Sequence, residues 1–454
     1  MTPFPWTARD VTRALGMAEA SWDHAYAGIS TDTRTIREGD LFVALKGERY
    51  DAHDYLGDAR AAGVAGAVVR HGTPRWPGFD WFEVDDTLVA LGQLARWRRD
   101  RITGPVVAIT GTNGKTSTKE MTAAALGATR MTHKSERNLN NLVGVPLTIL
   151  AAPLETEAMV VECGASLRGE LGRLREIVRP DVAVVTNVDA GHLEGFGSLD
   201  AILEEKVSLL AGAPVAVVGR KPEALPEAAR RAAGRVVTFS IEGPSDWIAD
   251  SVTMLPDGRA RFSVRGRTIE LPLRGRHMVA NALAALAAAD AAGVGLAEAA
   301  AALAGVRVPG GRSEVIEADG CTIINDSYNA NPQSLAAALD LLVALRGTRR
   351  AVVVLGSMLE LGPASEELHR EAARAVLRAG PDVIAAIGAF VPAFEAVGTG
   401  GATLVTGVSA LDVAPAVRDL VREGDIVLLK GSRGVRLEML LAALWPSAVP
   451  EDAH

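Results

Sequence analysis

A three-domain α/β protein is the fold the sequence predicts, and three observations predict it. The chain has 454 residues, too many for one hydrophobic core and enough for about three. Apolar runs alternate with helical stretches along most of its length, the pattern of mostly parallel sheets covered on both faces. A break at Pro309-Gly-Gly311 separates two such alternating series.

Residues 1–103 hold short elements, among them 40–46 and 66–70, with a loop at Thr73-Pro-Arg-Trp-Pro77, and read as a small α/β domain. Residues 104–309 form a central domain with strands at 106–110, 158–162, 182–187 and 215–218 and a helix starting at Lys115. A hairpin over 261–272 turns at Gly266, and an alanine-rich helix follows over 277–292. Residues 310–454 alternate again, with strands at 321–324, 351–355, 383–387 and 426–429, a helix capped near Ser334 and another over 365–379, which makes a third, Rossmann-like domain. No short-period repeat interrupts the pattern.

Strand 106–110 runs straight into Gly111-Thr-Asn-Gly-Lys-Thr-Ser117. Gly111 and Gly114 let the backbone approach an anion, Lys115 adds a point charge, and the Thr116 hydroxyl is placed to hold Mg²⁺. This is a cradle for a nucleoside triphosphate. The general G-x-x-x-x-G-K-[ST] pattern would put a glycine at position 109, where this chain has Ile109.

Charge and cysteines exclude other classes. A formal net charge of -8 and the lack of a dense Lys/Arg cluster argue against a nucleic-acid partner. Cys163 and Cys321 stand alone, so neither a disulfide framework nor a cysteine zinc site is indicated, and a reducing cytoplasm is expected. Residues 1–10 lack a signal-peptide pattern and no apolar run reaches 18 residues, so a soluble protein without an integral membrane segment is expected.

Further residues gather at strand ends. Glu162 closes an apolar strand beside the phosphate loop, where α/β sheets bind ligands and a carboxylate can hold Mg²⁺; alone it also reads as a solvated strand-end acid. His192 lies past the next strand end, a second ligand candidate or a structural histidine. Lys206, in Glu204-Glu-Lys206, reads by itself as a surface lysine. Asn138-Leu-Asn-Asn141 places amides, Asn138, Asn140 and Asn141, ahead of a buried turn, where they can meet a phosphate or peptide or simply form an Asn-rich turn that caps a helix. Asn325-Asp-Ser-Tyr-Asn-Ala-Asn-Pro332 offers Asp326 to a sugar hydroxyl pair, with Tyr328, Asn329 and Asn331 beside it, or reads as a capped turn leading into the helix. Glu360, Lys430 and Arg433 follow strands of the third domain, charges of both signs that suit a zwitterionic peptide.

Over essentially its full length the chain resembles the Mur ligase family, ATP-dependent amide ligases of peptidoglycan precursor synthesis. Thr110-Gly-Thr-Asn-Gly-Lys-Thr116 matches that family's own phosphate loop, which accounts for Ile109. Asp40-Leu-Phe-Val-Ala-Leu-Lys-Gly47 with Tyr50-Asp-Ala-His53, Asn138-Leu-Asn-Asn141, Tyr328-Asn-Ala-Asn-Pro332, and Met358-Leu-Glu-Leu-Gly362 followed by His369 resemble the members that add D-Ala-D-Ala. The resemblance implies a UDP-binding first domain, a central ATPase domain and a C-terminal ligase domain, joining D-Ala-D-Ala to UDP-MurNAc-tripeptide through an acyl phosphate. It places Thr31, Asp32, Arg34, Lys46 and Gly47 at the UDP-sugar and Gly111, Thr112, Asn113, Gly114, Lys115, Thr116 and Ser117 at the ATP phosphates. Asn281 would meet adenine, Arg312 a phosphate and Asp326 the ribose. Thr116 with Glu162 would hold one Mg²⁺, and His192 with a carbamylated Lys206 a second. A monomer is expected. Ser357 and Asn325 depart from the family, which often has Asp at both places. Other ligases of the family share the phosphate loop, Glu162 and His192, and a catalytically silent nucleotide-binding scaffold is the reading from a different class.

Overall fold

The computed structural model of the protein describes residues 2–448. Among the described residues the first segment builds a four-stranded parallel sheet, Ile29–Ser30, Leu41–Val43, Gly66–Arg70 and Asp80–Val84, in chain order. A central seven-stranded sheet is parallel throughout. In it Val106–Thr110 lies between Ala158–Glu162 on one side and Val182–Val185 on the other. Chain order reverses at that strand, and the crevice beyond the carboxyl ends of such a pair is where α/β sheets take ligands. The last segment forms a six-stranded sheet, parallel except for its antiparallel edge strand Glu314–Ala318.

Two-sided burial explains the runs. Val106 and Ala108 enter a core shared with Trp6, Leu91 and Leu94 of the first segment, while Val107 and Ile109 face Met121 and Leu283 on the opposite side. Val352 and Val354 face one core of the last sheet, and Val353 and Leu355 the other. Alternation along a strand thus fills two apolar layers at once.

The helix Thr87–Arg99 fastens the first segment to the central sheet. Buried Arg98 donates to the carbonyls of Ala152 (3.1 Å) and Pro153 (2.9 Å). Arg99 donates to Val178 O (2.8 Å), Arg179 O (2.8 Å) and the Asp181 carboxylate (2.9 Å). Truncating Arg99 would strand the buried Val178 carbonyl and break two part-buried bonds, so Arg99→Ala is expected to cost about 1–3 kcal/mol. Urea unfolding followed by tryptophan fluorescence checks this, because Trp6 and Trp97 pack 5.1 Å apart at this junction.

Several expectations change in detail. The hairpin is part of a three-stranded antiparallel sheet, because Ser251–Met254 adds to Arg259–Val264 and Arg267–Arg274. The amides Asn138, Asn140 and Asn141 precede a turn at 142–143 that runs directly into the helix Gly144–Leu150, with Pro146 in its first turn, where a missing N–H costs nothing. The helix Pro332–Arg346 is capped by Asn331 rather than at Ser334: the Asn331 carboxamide accepts from Ser334 N–H while the Ser334 hydroxyl accepts from Asn331 N–H.

Candidate active site

The phosphate loop needs both of its glycines. Gly111 has φ +147° and Gly114 φ +82°, and a Cβ at these places would stand 1.8 Å from the Thr186 hydroxyl and 2.3 Å from the Asn281 carboxamide oxygen. Thr112 N–H donates to Asn187 O (2.9 Å), Asn113 N–H to Asn187 Oδ1 (3.1 Å), and Thr186 Oγ1 to Asn113 O (2.6 Å). The loop is therefore braced by the neighbouring strand end. Lys115 folds back over it, its amine donating to Gly111 O (2.8 Å) and Thr112 O (3.1 Å). Burial, with the Arg312 charge, pulls the Lys115 pKa below the usual lysine range against the opposing pull of Glu162.

Glu162 is 3% exposed, not a solvated strand end. Its carboxylate accepts from the Thr116 hydroxyl (2.9 Å) and the Asn140 amide (2.8 Å), while its own N–H donates to Ser135 Oγ (3.1 Å). Asn141 caps the helix Gly144–Leu150 through bonds from Val143 N–H (3.1 Å) and Gly144 N–H (2.8 Å), and Asn138 is exposed. Ser117 is buried in the first turn of the helix Lys115–Gly127.

Lys206 overturns the surface reading, because the helix Leu199–Ser208 turns it inward to 2% exposure. Burial first, and then the Lys115 charge, lower its pKa to about 7. Glu205, the carboxylate that favours its charged form, is committed to the N–H groups of Gly169 (2.7 Å) and Leu171 (2.7 Å). His192 sits in the left-handed region at φ +59° and pairs with Glu360 of the last segment, itself at φ +62°. Among the described residues no group of three His, Cys, Asp or Glu is placed to hold a metal by itself.

The last segment brings its groups to the same edge, and many are already engaged. Lys430 is buried; its amine meets the Asp326 carboxylate (2.6 Å) and Asn329 O (2.7 Å), and Asp326 Oδ1 also accepts from Ser313 N–H (2.8 Å). Asn329 accepts from Ala330 N–H (2.9 Å). The Arg312 guanidinium lies 3.6 Å over the Tyr328 ring, with Arg433 at 5.6 Å, a stack that sequence spacing could not reveal. Ser357, where the family often has Asp, accepts from Ala389 N–H (2.9 Å), and Asn325 donates to Glu314 (3.1 Å). In the first segment Thr31 and Lys46 follow the paired strands Ile29–Ser30 and Leu41–Val43. Arg34 grips Asp32 through two nitrogens (2.9 and 2.6 Å), and Gly47 N–H donates to Tyr50 O (2.9 Å). Buried Lys119 was not anticipated; it donates to Ser135 O (2.7 Å) and pairs with Glu120 (2.9 Å), and only its place four residues past Lys115 could have hinted at it.

Fold and site together define a nucleotide-dependent α/β enzyme. The Mur ligase middle domain matches residues 109–289, and the Mur ligase glutamate ligase domain residues 311–433. The chain is 36% identical to the UDP-N-acetylmuramoyl-tripeptide--D-alanyl-D-alanine ligase of Bacillus subtilis (strain 168), over 92% of this chain and 93% of that one. Among solved structures it is similar to MurF from Acinetobacter baumannii (TM-score 0.88, 32% identity, 98% of this chain and 99% of that one). It is also similar to MurF ligase from Thermotoga maritima in complex with ADP (TM-score 0.81, 29% identity, 92% and 96%). The chain belongs to the Mur ligase family of ATP-dependent ligases.

Proposed function

We propose that the protein joins the amine of D-Ala-D-Ala to the terminal carboxylate of UDP-MurNAc-tripeptide, using ATP, to give the pentapeptide precursor of peptidoglycan. The observation that carries this reading is likeness over more than nine-tenths of both chains to a ligase of that name, on a site whose phosphate loop, Glu162 and Arg312 converge. The substrate carboxylate attacks the γ-phosphorus, the bond to ADP breaks, and an acyl phosphate forms. The dipeptide nitrogen then attacks the acyl carbon, phosphate leaves, and the amine's proton goes to solvent. Lys115 and Arg312 oppose the negative charge that grows on the transferring group. The domains form the proposed units 1–103, 104–309 and 310–454, and their closure excludes water from the acyl phosphate.

In this reading Thr31, Asp32, Arg34, Lys46 and Gly47 receive the UDP-sugar. Gly111 to Ser117 receive the ATP phosphates, and Asn281 and Asp326 the nucleoside. Asn138, Asn140, Asn141, Tyr328, Asn329, Asn331, Glu360, Lys430 and Arg433 surround the peptide ends. Mg²⁺, when bound, supplies charge neutralisation at the phosphates. The buried oxygen pair of Thr116 and Glu162 fits such a hard cation, and His192 with a carbamylated Lys206 would hold a second. Because no cluster among the described residues is complete by itself, phosphate oxygens would fill the shell, as Mg²⁺ sites commonly require.

Amide formation is measured with D-Ala-D-Ala, D-Ala, diaminopimelate and L-Lys at saturating ATP, on UDP-MurNAc-tripeptide and, in a parallel series, on the UDP-MurNAc-dipeptide precursor. The dipeptide is expected to be favoured over D-Ala by about ten- to hundredfold, since a single residue leaves polar groups of the acceptor site unpaired. Faster ligation of diaminopimelate or lysine to a dipeptide precursor would overturn the acceptor and leave the ligase class standing.

A further inference from the structure

We infer that Gln333, with Asn331, is a positioning residue that clasps the C-terminal segment onto the phosphate loop through the side chain of Asn113. The inference rests on the ligase reading only for the meaning of docking. Asn113 Nδ2 donates to Gln333 Oε1 (2.6 Å) and Asn331 Oδ1 (3.2 Å), and Asn331 Nδ2 donates back to Asn113 Oδ1 (2.7 Å).

The polarity of this network is fixed by the backbone. Ser334 N–H can only donate, and it donates to Asn331 Oδ1 (2.9 Å), so Asn331 must turn its NH₂ toward Asn113. Asn113 must then meet that NH₂ with its oxygen and present its own NH₂ to Gln333, which has to supply an acceptor. One backbone cap thereby orders three carboxamides across two domains. The main chain of Asn113 is held from the other side by Thr186 and Asn187, so the clasp bears on a braced loop rather than a loose one. It brings the C-terminal segment in with Arg312 close enough to act on the Lys115 charge. A second tie runs beside it, Glu194 N–H to Glu360 O (3.1 Å) with the His192–Glu360 pair. Losing Gln333 should therefore weaken docking without abolishing it.

Gln333→Met keeps the length and removes the acceptor, whereas Gln333→Glu keeps an acceptor oxygen. In the full-length protein with ADP, hydrogen–deuterium exchange is followed in residues 110–117 and in the helix Pro332–Arg346. Gln333→Met is expected to speed exchange in 110–117 by about three- to tenfold, the equivalent of one neutral hydrogen bond, with the helix unchanged. KM for ATP should rise by a similar factor at nearly constant kcat, because nucleotide binding and docking are linked. Gln333→Glu should stay near wild type on both readouts. Unchanged exchange in 110–117, equal loss of protection in the helix, or a Glu variant matching the Met variant would each overturn the clasp. Absence of D-Ala-D-Ala ligation would sink the proposed reaction and leave the exchange result intact.

Discussion

Lys115→Ala is expected to lower ligation by at least a hundred- to a thousandfold while the protein stays folded. Its amine lies over the loop where the phosphates would sit, in a buried site near Glu162 and Arg312, so no water-screened cation can replace it. One charge-stabilising donor in such a site is worth about 3 kcal/mol or more. The fold should survive because Thr186 and Asn187 hold the loop's main chain independently of the lysine's own bonds to Gly111 O and Thr112 O. Phosphate release dependent on both peptide substrates, with thermal unfolding of the same sample, separates the two effects. Turnover within tenfold of wild type would sink the assignment of this loop to the ATP phosphates.

The strands that read most clearly from the sequence were those buried on both faces. Val106–Thr110, Ala158–Glu162, Val215–Val218, Ala351–Leu355 and Val383–Ile387 have the expected bounds, because two-sided burial leaves an unbroken apolar run. The strands Thr132–Lys134, Ser251–Met254 and Thr403–Gly407 went unread, since each lies at a sheet edge and carries polar residues on partly exposed positions. The phosphate loop was legible because Gly111 and Gly114 meet a local steric demand that sequence displays. Which amide answers which was not: Asn331 caps a helix and meets Asn113 at the same time, and Lys430 spends its charge on Asp326. The first pairing is set by how two sheets come together and the second by the register of two strands far apart in the chain, Asp326 lying opposite Lys430, and spacing along the chain holds no record of either.

Lys206 is the residue whose chemistry depends most on such placement, and Lys206→Ala is expected to be nearly inactive. An ammonium is disfavoured there by burial and by Lys115, and the pKa of about 7 leaves much of the amine neutral near neutral pH. A neutral amine can attack CO₂: the N–C bond would form, one proton would leave, and the Lys115 charge that disfavours the ammonium would favour the carbamate anion. The sign of the pH dependence follows. At fixed dissolved CO₂, carbamate occupancy should rise as pH rises through about 7 and fall below it, where the ammonium form holds the electron pair. With ¹³C-labelled CO₂, a carbamate resonance should appear in the wild-type protein and be absent from the alanine variant. Short carboxylates such as formate should restore part of the variant's activity by supplying the missing anion. Lys206→Arg should be neither active nor rescued, because a guanidinium stays protonated and fills the space the anion needs. Wild-type turnover in the alanine variant, or a labelled resonance that survives the substitution, would return Lys206 to a purely structural place in the helix Leu199–Ser208.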